Sequence, residues 1–170
     1  MHAEFVALRF IHVLSGITWV GAGIFSAFFL IPAISGSPET TMQVLSGLRR
    51  RGFFIFLPVV AALTVLSGLR MLWIDSAGFA GSYFDSATGK AFGWGGLSAI
   101  IAFIIAYGVA LPLNIRTGKF AARLKDATPG DRDRLSAELN RTRQLAARTT
   151  MAAVLFGILA ASAMAVARYL

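Results

Sequence analysis

The sequence predicts an all-α integral membrane protein: a four-helix bundle with a cytoplasmic helical hairpin extending between its third and fourth spans. Three observations lead there. The 170 residues are 56% hydrophobic and 14% charged, with a mean hydropathy of +0.70, whereas soluble domains carry about 25% charged residues. The intervals Arg9–Glu39, Arg51–Arg70, Lys90–Arg116 and Arg148–Arg168 contain no Asp, Glu, Lys or Arg, and each is close to the roughly 20 residues a helix needs to cross a bilayer. None of these runs alternates with the period of two that a barrel strand requires.

The intervals place spans near residues 8–31, 52–74, 92–114 and 148–168 of a single membrane domain covering 1–170. The first run lacks a basic leading segment and a small-residue cleavage site, so it reads as a span and not as a removed signal peptide. Between spans one and two, Ser37-Pro38-Glu39 has the order of an N-cap, a proline at the first helical position and an acid in the first turn. Met42, Leu45 and Leu48 follow on one face and Arg49–Arg51 end the segment, which predicts a short interfacial helix. The connection from Asp75 to Lys90 is rich in Gly and Ser but holds Phe79, Tyr83 and Phe84. It is expected either to fold over the outer mouth or to rest at the interface.

The third connection, about 115–147, is the longest. Thr128-Pro129-Gly130-Asp131 supplies another helix start, and Leu135, Leu139 and Leu145 keep helical spacing into the fourth span. That predicts one helix of about 40 residues, roughly 60 Å long. Phe120 and Leu124 are placed to pack against Leu135 and Leu139, giving the hairpin.

Charge sets the expected orientation. Arg49–Arg51 and the nine cations from Arg116 to Arg148 fall on one side, leaving Arg9, Arg70, Lys90 and Arg168 on the other. Positive residues are retained in the cytoplasm, so both termini are expected outside an inner (plasma) membrane of bacterial type. The net charge of +8 is thereby a topology signal, and no nucleic-acid partner is expected from it. Trp73, Trp94 and Tyr169 sit near the outer ends as an aromatic belt. Small residues recur every four positions, as Ala153, Gly157, Ala161 and Ala165 in span four, Ala102, Ala106 and Ala110 in span three, and Gly23 and Ala27 in span one. Such rows let membrane helices approach closely within a bundle or across a homo-oligomer seam.

The chain has no cysteine and two histidines. That excludes disulfides, thiolate metal sites, covalent c-type haem attachment and a multi-histidine metal site within one chain. There is no phosphate-binding Gly loop, no HExxH, and no carboxylate deep in a span of the kind that marks transporters.

Ionisable residues inside spans are costly and mark candidate sites. Arg9 and His12 share a helical face, continued by Gly16 and Trp19, with His12 about 10 Å below the outer boundary. Span two returns Gly68, Arg70 and Met71 to that level, and span four brings Met164 to a similar depth. Two readings fit. In one, His12 is the axial ligand of haem b, Arg9 and Arg70 pair with its propionates, Gly16 and Gly68 make room for the macrocycle, and Met71, Met164 or another subunit completes the iron. In the other, His12 hydrogen-bonds a neighbouring helix while Arg9 and Arg70 reach for lipid headgroups.

The stretch Leu8-Arg9-Phe10-Ile11-His12-Val13-Leu14-Ser15-Gly16-Ile17-Thr18-Trp19-Val20-Gly21-Ala22 resembles the first span of membrane-bound bacterial urate oxidases of the cytochrome c-fused type. The spacing from His12 to Trp19 and Gly21 is also similar to HemJ-type protoporphyrinogen oxidases and copper-resistance D-like membrane proteins. The match covers residues 8–22, with a looser echo in Leu66-Ser67-Gly68-Leu69. The resemblance implies that His12 is a haem ligand. It carries no Cys-x-x-Cys-His over, since this chain has none. The expectation is a small haem-b-binding membrane protein that transfers electrons or serves a redox partner protein near the outer face. The alternative is a non-catalytic scaffold or accessory subunit of a larger complex.

Overall fold

The computed structural model describes residues 2–170, and for Pro38 and Lys125 the backbone only. Among them there is no strand. Four long helices, α1 (His2–Ile34), α3 (Phe53–Asp75), α4 (Ala87–Leu124) and α5 (Pro129–Ala167), are long and apolar enough to cross a membrane, and the shorter α2 (Pro38–Arg50) follows α1. Their outward faces carry Phe10, Ile17, Ile55, Leu66, Trp94 and Leu159, all well exposed. In water these would be liabilities, whereas hydrocarbon chains satisfy them.

The bundle is two antiparallel helix pairs, α1 with α3 and α4 with α5. They meet around Trp19, Val60, Ala61 and Ala102, with Phe103 and Tyr107 packed against that cluster. The Trp19 and Phe103 rings meet edge to face, centroids 6.2 Å apart. Close approach of α1 to α5 comes at Gly23 beside Val154 and at Gly157 beside Val20.

In each pair the descending helix is interrupted before a proline. α1 widens to a π-helix at Ser26–Leu30, just ahead of Pro32, and α4 does the same at Ile104–Ala110, ahead of Pro112. Proline brings no N–H and its ring crowds the preceding turn, so the helix absorbs the misfit by widening.

Local chemistry accounts for the ends. Ser37 caps α2, its Oγ accepting from Thr40 N at 3.3 Å, as the sequence predicts, and Thr41 Oγ1 ties α2 back to Ile34 O at 2.6 Å. Thr128 occupies the N-cap of α5, but its hydroxyl donates to Asp131 Oδ2 at 2.9 Å. Its oxygen accepts no backbone N–H of the first turn. Helix α5 runs unbroken for 39 residues, and Phe120 and Leu139 are buried where α4 and α5 pack together beyond the spans. The helical hairpin is present.

The small-residue row of span four lies only partly within the contacts of the single chain. Ala153 and Gly157 are buried, but Ala161 and Ala165 are exposed, and Ala160 and Ala167 take their place. A strict four-residue step advances 40° beyond a full turn at 3.6 residues per turn, so the row walks off the seam. Only a mixture of three- and four-residue steps stays on it.

The connection between α3 and α4 folds tightly against its own helices. Ala77 and Phe79 adopt positive φ (49° and 64°), Phe79 N donates to Ser76 Oγ at 2.8 Å, and the Phe79 ring meets Trp73 edge to face at 5.4 Å. A 3-10 turn over Gly81–Asp85 follows, and Ser86 caps α4 by accepting from Gly89 N at 2.9 Å. Gly89 is obligatory there, since a Cβ would fall 1.9 Å from Tyr83 O. Burial, and then the Asp75 carboxylate, push the Tyr83 phenol above its ordinary range.

Candidate functional site

Helix α1 presents His12, Ser15, Gly16 and Trp19 to α3, which answers with Thr64, Ser67 and Gly68. Nδ1 of His12 lies 2.8 Å from the backbone oxygen of Thr64 and 3.4 Å from Ser67 Oγ. A carbonyl oxygen can only accept, so Nδ1 carries the hydrogen. In the neutral ring Nε2 then holds a free lone pair. Among the described residues Nε2 has no hydrogen-bond partner, and it is not sealed from the surface.

The surrounding polar groups are all bound within their own helices. Ser15 Oγ donates to Ile11 O at 2.5 Å, Thr64 Oγ1 to Val60 O at 2.9 Å and Ser67 Oγ to Leu63 O at 2.5 Å. Ser15, Thr64 and Ser67 are buried. No hydroxyl is left to compete for Nε2.

Gly68 makes this seat possible. A Cβ on Gly68 would lie 2.7 Å from His12 Cε1 and 3.0 Å from Nδ1, inside any tolerable contact. The space that the sequence reading reserved for a macrocycle at Gly68 is therefore filled by the imidazole itself. Gly16 likewise gives no cleft, since its would-be Cβ meets the Thr64 methyl at 3.5 Å.

The other expected residues are placed as follows. Arg70 is held by Glu4, its Nε and Nη2 donating to one carboxylate oxygen at 2.9 and 2.7 Å. This pair ties the start of α1 to the end of α3, with both side chains about half exposed (50% and 43%). Arg9 is exposed and within electrostatic reach of Asp75. Arg70 is thus already paired with an acid. Trp19 lies two turns below His12 in the central cluster. Met71 is half-buried on α3. Met164 packs in the other helix pair, its Cγ 3.2 Å from where a Gly95 Cβ would stand. The antiparallel register set by Val20 with Gly157 and Gly23 with Val154 carries Met164 to the level of His12, as the sequence predicts, on a different seam.

Against this geometry, the donor set fits one axial bond to a haem iron. A metal-bound imidazole normally donates its second N–H to a carbonyl or carboxylate, which fixes the ring and raises its basicity, and here the Thr64 carbonyl is the acceptor of the Nδ1–H. Among the described residues two concavities lie away from His12, one of about 290 Å³ lined by Phe84, Lys90, Gly93, Trp94 and Leu97, the other of about 200 Å³ lined by Arg116, Lys119, Phe120 and Arg123. No group of three or more His, Asp or Glu side chains gathers as a metal site among them.

Sequence reasoning missed Thr64 and Glu4. The carbonyl of Thr64 leaves no trace in residue identity. Glu4 was findable, as the acid nearest Arg70 once span two is returned to the outer level. Comparison of the chain with protein-family models, curated proteins and solved structures finds no match.

Proposed function

We propose that this is a small multi-pass protein of a bacterial-type inner membrane, with both termini outside and the basic connections in the cytoplasm. In this reading it binds haem b near the outer face through His12, in electron transfer or in service of a redox partner. The observation that carries it is the anchored imidazole, with Nδ1–H committed to Thr64 O and Nε2 free. Neither packing nor solubility requires that arrangement, and an intramembrane histidine is expensive to keep.

Each residue then has a defined task. His12 offers Nε2 to iron. The Thr64 carbonyl orients the ring and makes it a stronger donor. Gly68 provides the seat, and the Trp19 cluster beneath keeps water from entering between the helix pairs. Bound haem would supply the ferric–ferrous couple. With one axial bond from His12 and neither of the two concavities beside it, the opposite wall comes from a second copy or a partner subunit.

An optical spectrum of detergent-purified protein, oxidised and dithionite-reduced, tests the reading. A Soret band is expected, and His12→Ala is expected to abolish or strongly shift it. A band that survives His12→Ala unchanged overturns the assignment.

One observation favours the scaffold reading as its rival. Arg70 is already paired with Glu4. Under that reading the protein purifies colourless and firmly attached to a larger complex.

A further inference from the structure

At the opposite end of the molecule from His12, α4 leaves its apolar stretch at Asn114 and continues to Leu124. Arg116, Lys119 and Arg123 follow at spacings of three and four residues, on one face of the helix. Together with Phe120 they line the concavity of about 200 Å³. Phe120 is buried against α5 and forms the floor, with the Arg116 guanidinium 5.4 Å from its ring centroid.

Among the described residues, salt bridges occur at Arg70–Glu4 and Arg134–Glu138, and none engages these three cations. This contrasts with Arg70, which is held by Glu4. Three cations converging on one concavity without a countercharge make an anion site.

Position identifies the anion. At 1.5 Å per residue, Arg116 and Lys119 stand roughly 3 and 8 Å beyond Asn114. The polar headgroup layer is about 5–8 Å deep on each side of the hydrocarbon core. Arg116 and Lys119 therefore lie at phosphate depth, and Arg123 caps the concavity one turn further out. Guanidinium groups suit phosphate oxygens bidentately and a lysine adds a point charge.

We propose that Arg116, Lys119 and Arg123 form a specific site for the phosphodiester headgroup of an anionic phospholipid, seated on Phe120. The site fixes the depth of the helical hairpin against the membrane. It does not depend on haem binding at His12.

The test is thermal melting of the full chain in a neutral detergent with graded phosphatidylglycerol, against phosphatidylcholine and inorganic phosphate. Phosphatidylglycerol is expected to raise the melting temperature and phosphatidylcholine to leave it unchanged. The triple variant Arg116→Gln, Lys119→Gln, Arg123→Gln is expected to weaken the apparent affinity at least threefold. Removing the same number of charges on the same side, with Arg49→Gln, Arg50→Gln, Arg51→Gln, is expected to change it little. Arg116→Lys with Arg123→Lys, which keeps the charge, is expected to retain partial binding and shows that the helix still folds. Equal loss in both triple variants means diffuse attraction and overturns the site. Equal stabilisation by millimolar inorganic phosphate, lost in the first variant, makes it a free-phosphate site and overturns the lipid assignment.

Discussion

Along the seam between α1 and α3 the buried positions include Ser15, Thr64 and Ser67, with His12 set between them. Along the seam between α4 and α5 they include Gly95, Ala99, Ala102, Ala153 and Ala160, with Phe120 and Leu139 beyond the spans. Both seams bring two long helices into close antiparallel contact, and among the described residues the second does so with no buried polar side chain. The second shows that this chain joins membrane helices without polar side chains. Polar contacts between membrane helices contribute on average about 0.6 kcal/mol each, so those of the first seam are a poor means of adding cohesion. What they achieve that alanines cannot is an imidazole with a fixed tautomer and one free nitrogen.

The comparison breaks most visibly at two glycines at a similar level of the bundle, Gly68 and Gly95. Gly68→Ala drives a methyl to 2.7 Å from a ring held by a hydrogen bond, and the ring yields only by giving up Thr64 O. Overpacking of this kind costs about 1–3 kcal/mol. Gly95→Ala meets Met164 at 3.2 Å, Ala163 Cβ at 3.3 Å and Ala160 O at 3.4 Å; the methionine yields and the other two need only a shift of tenths of an ångström, so its cost is expected at the low end of that range, about 1 kcal/mol. Melting temperatures in detergent should rank Gly68→Ala well below Gly95→Ala. The reverse ranking would mean that the imidazole is loosely held and that the seat described at His12 is wrong.

A second, smaller effect separates chemistry from cohesion within the first seam. Ser67→Ala removes a hydroxyl that bonds mainly to its own helix and only weakly to Nδ1 at 3.4 Å. A stability change of about 0.5 kcal/mol is expected. His12→Ala removes the 2.8 Å bond to Thr64 O and leaves a void, at about 1–2 kcal/mol. If the seam serves cofactor binding, the Soret band follows His12 and is nearly indifferent to Ser67. Equal spectral loss in both variants points instead to general loosening of the helix pair.

Charge spacing was enough to read the four spans, the uninterrupted α5 and the hairpin, because each depends on where charged residues are missing or where helical periodicity persists. The seam positions were less legible. Ala161 and Ala165 satisfy a four-residue rule, yet the helix turns them out of the contact, and Ala160 replaces them only because two helix axes fix the line of contact. The π-helical turns ahead of Pro32 and Pro112 had a signal in those prolines, whose effect depends on the carbonyls one turn earlier. At the site, His12, Gly68 and Trp19 were readable as residue types. Their arrangement was not, because the acceptor of His12 is a backbone oxygen and the role of Gly68 is to admit His12 rather than a ligand. The assignment of Arg70 to a propionate overlooked Glu4, which lies 66 positions away in sequence and adjacent in space.

The smallest expected effect bears on those outer charges. The Glu4–Arg70 pair is about half exposed on both sides, and such pairs contribute roughly 0–1 kcal/mol, so Glu4→Gln and Arg70→Gln should each shift stability by less than about 1 kcal/mol. Haem retention distinguishes the two variants where stability does not. If Arg70 turns from Glu4 to a propionate when haem binds, Glu4→Gln frees the guanidinium and strengthens retention, whereas Arg70→Gln weakens it. If the pair is only a clasp between α1 and α3, the two variants change retention equally and in the same direction, because each removes the same contact.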